Sequence, residues 1–250
     1  IGAPLLILCI IKGNFIFTTL IYFSIFVCIH EFYNICLKLK INLQLLWLYL
    51  LSILFYLTHF FDIESLIILD SLQLFSLTCI IVIITEFLFD RDNKIQNISS
   101  TIFCVVWLII FLNFMVKIRY DYGFEITLLM FLSVWICDSF AFIIGSKYGK
   151  KKIFPKISPN KTWLGTISGY LCSLIFVFLM LKYNFVKIEF NYFNVFVIGT
   201  IFGAIGQIGD ALESLIKRYA NIKDSGKILR GHGGMLDRLD SLILSAPCFY

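Results

Sequence analysis

GDALESLIKRYANIKDSGKILRGHGGMLDRLDS, running from Gly209 to Ser241, separates two strongly apolar segments and does not read as packing. It and its flanks hold Asp210, Glu213, Asp224, Asp237 and Asp240, with Lys217, Arg218, Lys223, Lys227, Arg230, Arg238 and His232. Charges of both signs gathered at the end of apolar helices are costly unless metal or phosphate uses them. The stretch therefore reads as a polar connection at one membrane face, joining an antiparallel helix pair and carrying the chemistry.

The rest of the chain supplies the setting. Its 250 residues are 60% hydrophobic and 15% charged, with a mean hydropathy of +0.90. A soluble fold must cover itself with polar groups, and this composition leaves too few. The predicted class is an all-α, polytopic integral membrane protein. At roughly 20 apolar residues per crossing, the profile predicts about nine transmembrane helices: 1–11, 15–33, 43–61, 65–89, 95–116, 124–145, 163–181, 193–212 and one starting near Asp237. They form a single membrane domain over 1–250, with 1–120 a helical scaffold and 121–250 the catalytic helices, whose loops are 146–162 and 213–236. The first residue is Ile and the last predicted span is short, so the natural chain is expected to extend further.

Charge placement tests this count. Loops after the second, fourth, sixth and eighth spans carry sixteen Lys and Arg, and the opposite loops carry five. Positive charge is retained on the cytoplasmic side, so both basic connections are expected there and the N-terminus outside. A bacterial inner membrane is the expected location, or an organelle membrane in a eukaryote. The eight cysteines are scattered singly, without a CxxC pair, and read as small buried hydrophobes. Glu31, Asp70 and Glu86 each stand alone in or near apolar runs, where an interhelical hydrogen-bonding role is expected; His30 and His59 sit near span ends. Nothing points to nucleic acid, and the Walker pattern is absent.

Asp210 ends the eighth span and Asp237 begins the ninth, so the helix pair brings both carboxylates to one face. There they can share a Mg²⁺ ion, which takes one or two protein carboxylates and keeps its other positions for water and substrate phosphate. Asp240 and Glu213 lie one turn further along their helices and reach the same place by i, i+3 spacing. The alternative is that these four acids pair with Lys217, Arg218 and Arg238 as interfacial salt bridges.

The order Ser214, Lys217, Arg218, Lys223, Asp224, Gly226, Leu229, His232, Gly233, Gly234, Met235, Asp237, Arg238, Leu239, Asp240 resembles the signature of the phosphatidate cytidylyltransferases, or CDP-diacylglycerol synthases. Arg230 departs from it. A second, shorter resemblance runs through Trp135, Asp138 and Ala141 and then Ser158, Pro159, Asn160, Lys161, Thr162 and Gly165, with Asn160 and Leu164 in place of the family's Lys and Glu.

The resemblance implies that CTP and phosphatidic acid are converted to CDP-diacylglycerol and pyrophosphate at the membrane. It makes Asp210, Asp237, Asp240, Lys217, Arg218 and Arg238 the catalytic set, with Asp210 and Asp237 holding Mg²⁺ and a second cation left open. Substrate binding falls to Ser214, Lys223, Asp224, His232, Gly233, Gly234, Ser158, Pro159, Lys161, Thr162 and Asp138. The family also implies a homodimer, on which the residues themselves are silent. Two other readings remain open at this point: a CTP-dependent polyprenol or dolichol kinase, and a cation-coupled transporter.

Overall fold

Two glycines in left-handed backbone break what would otherwise be continuous apolar helix. Gly13 (φ 112°) separates α1 (Gly2–Lys12) from α2 (Asn14–Lys38), and Gly123 (φ 85°, ψ −176°) breaks a long helix further on. Only a residue without Cβ adopts such angles cheaply. The computed structural model describes residues 2–61, 71–89, 91–226 and 233–250.

After α2 come α3 (Leu45–Phe61), α4 (Ser71–Leu88) and α5 (Lys94–Cys104). The last continues through a widened π stretch, Val105–Ile110, into α6 (Phe111–Tyr148). Uninterrupted, the 55 residues from Lys94 to Tyr148 would make a rod of roughly 80 Å at the α-helical rise, well over the ~30 Å hydrocarbon layer. The break at Gly123 divides it into two lengths, each long enough to cross that layer.

A short antiparallel hairpin follows, β1 (Lys152–Phe154) with β2 (Ser158–Thr162), pairing Lys152 with Thr162 and Phe154 with Ser158. β2 feeds directly into α7 (Trp163–Lys182), whose first turn is capped by the Thr162 hydroxyl accepting from the Gly165 amide at 3.2 Å. Then α8 (Tyr192–Thr200), a second π stretch (Ile201–Ile205) and α9 (Gly206–Tyr219) form one continuous helix, and α10 (Leu236–Phe249) completes the described chain.

Among the described residues, four helices are long and apolar enough to cross a membrane: Phe15–Lys38, Lys94–Tyr148, Trp163–Lys182 and Tyr192–Tyr219. Leu45–His59 and Gln73–Leu88 are apolar but shorter. The outward faces carry large apolar side chains, among them Phe87, Leu88, Ile95, Phe142 and Phe193. Such a coat belongs to an all-α membrane protein, because water would be a poor solvent for it. The centre is filled by Trp107, Tyr22, Phe17, Phe131 and Phe202, all buried, from α2, the two π stretches and α6.

Three expectations are corrected. The loop expected over 146–162 is partly a β-hairpin, since α6 runs to Tyr148 and the strands take up much of the remainder. The loop expected from 213 starts only after Tyr219, because the amphipathic end of α9 keeps Glu213 and Lys217 on a buried helical face. α2 likewise runs past the expected end at 33 as far as Lys38.

Small residues bring the second half together. A Cβ on Gly165 would stand 2.6 Å from the Ala141 carbonyl oxygen, and one on Gly209 would stand 2.5 Å from that of Asp240. α6 and α7, and α9 and α10, therefore meet backbone to backbone. Gly209 serves this close approach.

Candidate functional site

The second half of the chain delivers its polar residues to one end of the helices. Arg119 donates to the Ile10 carbonyl and the Tyr122 hydroxyl to that of Tyr250 at the opposite end. At the functional end the hairpin, the C-terminal turns of α9 and the first turns of α10 meet.

Asp237 opens α10 and collects donors on both oxygens. Lys217 Nζ lies 2.5 Å from Oδ1, while Oδ2 accepts from the Gly234 amide at 2.7 Å and from the Ser225 hydroxyl at 3.0 Å and amide at 3.1 Å. Lys217 is itself buried and also stands 2.5 Å from Glu213 Oε2, one turn back on α9. Lys217 therefore bridges two acids from facing helices. Both carboxylate oxygens of Glu213 are buried, with Lys217 and Asp237 as their side-chain neighbours. Gly233, at φ 81°, turns the chain into this corner; a Cβ there would reach 2.6 Å from Asp237 Oδ2.

Asp210 has a different set of neighbours. Its Oδ2 pairs with Lys161 Nζ at 2.6 Å and its Oδ1 accepts from the Ser214 hydroxyl at 3.3 Å. Its side chain is 28% exposed, against 13% for Asp237. Asp138 on α6 and Asp240 on α10 both interact electrostatically with Asp210, and Lys161 is the cation that opposes them. One lysine thus faces three carboxylates. Behind it Lys161 also reaches the Gln207 carbonyl at 3.5 Å, beside a cavity of about 260 Å³ lined by Phe154, Thr166, Ile167, Tyr170 and Ile208. Gln207 holds the widened turn, donating to the carbonyls of Gly203 at 2.8 Å and Thr166 at 3.1 Å.

Arg218 turns away from the acids. Its guanidinium donates to the carbonyls of Ile157 at 3.1 Å and Ile222 at 2.9 Å, tying the hairpin to the end of α9. Thr162 is buried as the cap of α7. Ser158 is half-buried and Pro159 exposed on β2, Lys223 and Asp224 are exposed beyond α9, and Arg238 is exposed on the first turn of α10. His232 lies outside the described residues, as do Lys227, Arg230 and Asp70.

The residues fit a divalent cation of a particular kind. Among the described residues, no three His, Cys, Asp or Glu side chains converge closely enough to cage an ion by themselves. Asp138, Asp210 and Asp240 outnumber their one lysine, which suits an ion that keeps water and substrate phosphate in its shell. Asp237 could join such an ion only by giving up one of its present donors.

One residue that the sequence marked for interhelical hydrogen bonding stands against this corner. Glu31, on α2, is buried and accepts from the Ser225 hydroxyl and from the amides of Met235 and Leu236. Its isolation in an apolar run was the available signal. Glu86, read in the same way, is buried among Gln44 and Asn97 in the first half.

The site joins two stretches far apart in sequence, Ser158–Thr162 and Gly209–Ser241, through Lys161–Asp210 and Arg218–Ile157. Comparison with known proteins bears on the family of the whole chain. The chain is 35% identical over 164 residues to a phosphatidate cytidylyltransferase of Thermotoga maritima, covering 64% of this chain and 61% of that protein. A protein of the same name from Staphylococcus saprophyticus is 36% identical over 181 residues (71% and 68%), and one from Staphylococcus haemolyticus is 46% identical over 125 residues (50% and 47%). The matched segments thus span about half to two thirds of these relatives' own lengths. Since the model of the cytidylyltransferase family matches residues 1–250 throughout, the chain belongs to that family.

Proposed function

We propose that this protein transfers the cytidylyl group of CTP to phosphatidic acid, giving CDP-diacylglycerol and pyrophosphate. The observation that carries the reading is the Lys161–Asp210 ion pair at 2.6 Å, which unites the two stretches of family likeness at one end of the helices. The names of the relatives supply the substrate class.

A phosphate monoester has its second pKa near 6, so phosphatidic acid is largely dianionic at neutral pH. Its phosphate oxygen attacks the α-phosphorus directly, and the bond to the bridging oxygen breaks with its electron pair leaving on pyrophosphate. No protein group need remove a proton first, and the protein's task is to position charged groups and offset developing charge. Lys161, Lys223 and Arg238 are the groups proposed to meet the phosphates. Lys217 holds Asp237, and Ser214 and Lys161 hold Asp210. Magnesium, when bound, would offset negative charge on the triphosphate, with Asp210 and Asp237 as its proposed ligands and Asp240 and Asp138 adding negative potential beside them.

The same reading takes the chain as crossing the membrane nine times. α1 to α4 are four crossings, the halves of the Lys94–Tyr148 helix two, and α7, the joined α8 and α9, and α10 the last three. The hairpin and the start of α10 then face the cytoplasm, where CTP arrives, and phosphatidic acid enters from the bilayer.

The deciding experiment gives purified protein radiolabelled CTP and phosphatidic acid with and without Mg²⁺. Label in lipid with stoichiometric pyrophosphate is the expected result. Release of CDP would indicate transfer of the γ-phosphate, and an inert protein would end the proposal.

A further inference from the structure

Glu31 comes from α2, about two hundred residues before the loop it touches, yet among the described residues its hydrogen bonds go to that loop and to the start of α10. Oε1 accepts from the Met235 amide at 3.0 Å; Oε2 accepts from the Leu236 amide at 2.9 Å and the Ser225 hydroxyl at 3.0 Å. Met235 and Leu236 are the entry to α10, whose first amides have no acceptor within the helix. Glu31 is thus an N-terminal cap supplied from another helix, with its negative charge at the positive end of the α10 dipole.

The contact is closely fitted. Gly226 and Gly234 flank Glu31, and a Cβ on either would fall 2.2 Å and 2.4 Å respectively from a Glu31 carboxylate oxygen. Ser225 bridges onward, its hydroxyl lying 3.0 Å from both Glu31 Oε2 and Asp237 Oδ2, and Gly234 donates to Asp237. Glu31 and Asp237 therefore share Ser225 as a hydrogen-bond partner, and Gly234, which donates to Asp237, also lies against Glu31. Glu86 serves as a comparison: it is equally buried and satisfied, but its partners Gln44, Asn97 and Arg91 have no part in this corner.

We propose that Glu31 is a positioning residue for the reaction, setting the place of Asp237 by capping α10 and holding Ser225 and Gly234 against it. The assignment rests on the cytidylyl-transfer reading for its catalytic consequence, and on the hydrogen bonds alone for its structural one. A displacement of about 1 Å at a reacting centre can cost on the order of 100-fold in rate. Loss of the cap should therefore appear in turnover.

Glu31→Gln keeps the shape but turns an NH₂ toward one of the backbone N–H donors. In the purified full-length protein it should lower kcat by on the order of 10–100-fold per folded molecule. KM for CTP should stay within about twofold, as befits an interaction that acts on the transition state more than on binding. Amide hydrogen exchange at 234–236 should quicken. Glu86→Gln, the matched control, should leave both turnover and that exchange at wild-type values. Ser225→Ala removes one of the three donors and should give a smaller loss in the same direction, so the test stands even if Glu31→Gln does not fold. Wild-type kcat in Glu31→Gln would overturn the positioning role, and unchanged exchange at 234–236 would overturn the cap itself. Should the wild-type protein make no CDP-diacylglycerol, the functional reading fails, while the exchange comparison still decides whether Glu31 holds α10.

Discussion

Lys217 and Asp210 illustrate two different duties for charged groups at one membrane face. Lys217 is buried between Glu213 and Asp237, and removing one partner of a buried ion pair leaves its counter-charge stranded. Lys217→Met should therefore lower stability by about 3–5 kcal/mol, read as a fall in melting temperature in detergent, with loss of transfer as a consequence. Asp210 is more open and its partners are solvent-accessible in part. Asp210→Asn should leave the melting temperature near wild type and yet reduce transfer by at least 100-fold, the order expected for a group that helps stabilise charge in the transition state. A variant that kept wild-type turnover would remove Asp210 from the proposed site. The sequence marked both residues as chemical and offered pairing of Lys217 with the acids as an alternative to catalysis, without saying which acid it meets. Which acid a lysine meets depends on a helix twenty residues away, and spacing does not reveal it.

Helix packing supplies the next scale. Gly206 and Gly209 lie one turn apart on the same face of α9, but their surroundings differ. A Cβ on Gly206 would find its nearest neighbour at 3.5 Å, whereas one on Gly209 would meet the Asp240 carbonyl at 2.5 Å. Gly206→Ala should be tolerated, and Gly209→Ala should force α9 and α10 apart at a cost of about 1–3 kcal/mol. Paired melting curves and turnover numbers check this, and equal effects would refute the packing argument. Thr162 offers a second comparison at this scale. As the cap of α7 it should accept Thr162→Ser with little change, while Thr162→Val should lose about 1 kcal/mol of stability. Losses of equal size in both variants would argue for a role beyond capping. The hairpin itself was not legible, because a three-residue strand is too short to display a period.

Across the whole molecule, α7 is the clearest ruler. Its 20 residues match one bilayer crossing, so Lys161 and Lys187 at its two ends should lie on opposite sides. In membrane vesicles of known orientation, a cysteine introduced by Lys151→Cys should react with an impermeant thiol reagent from the face that also exposes Lys223→Cys. Lys187→Cys should react only from the other face. Labelling of all three from one side would break the nine-crossing topology.

Hydropathy by itself determined that the chain is helical and membrane-embedded, since the need to shed apolar surface into lipid is local and additive along the chain. Residue chemistry and order determined the family, because the acids and bases of Gly209–Ser241 remain readable without coordinates. Only the tertiary structure decided the partnerships: Asp210 with Lys161, Asp237 with Lys217 and Ser225, and Glu31 beneath the start of α10. Hydrogen bonds and ion pairs act over about 3 Å, and the residues that come within that distance are chosen by how distant helices pack, which no window of sequence records.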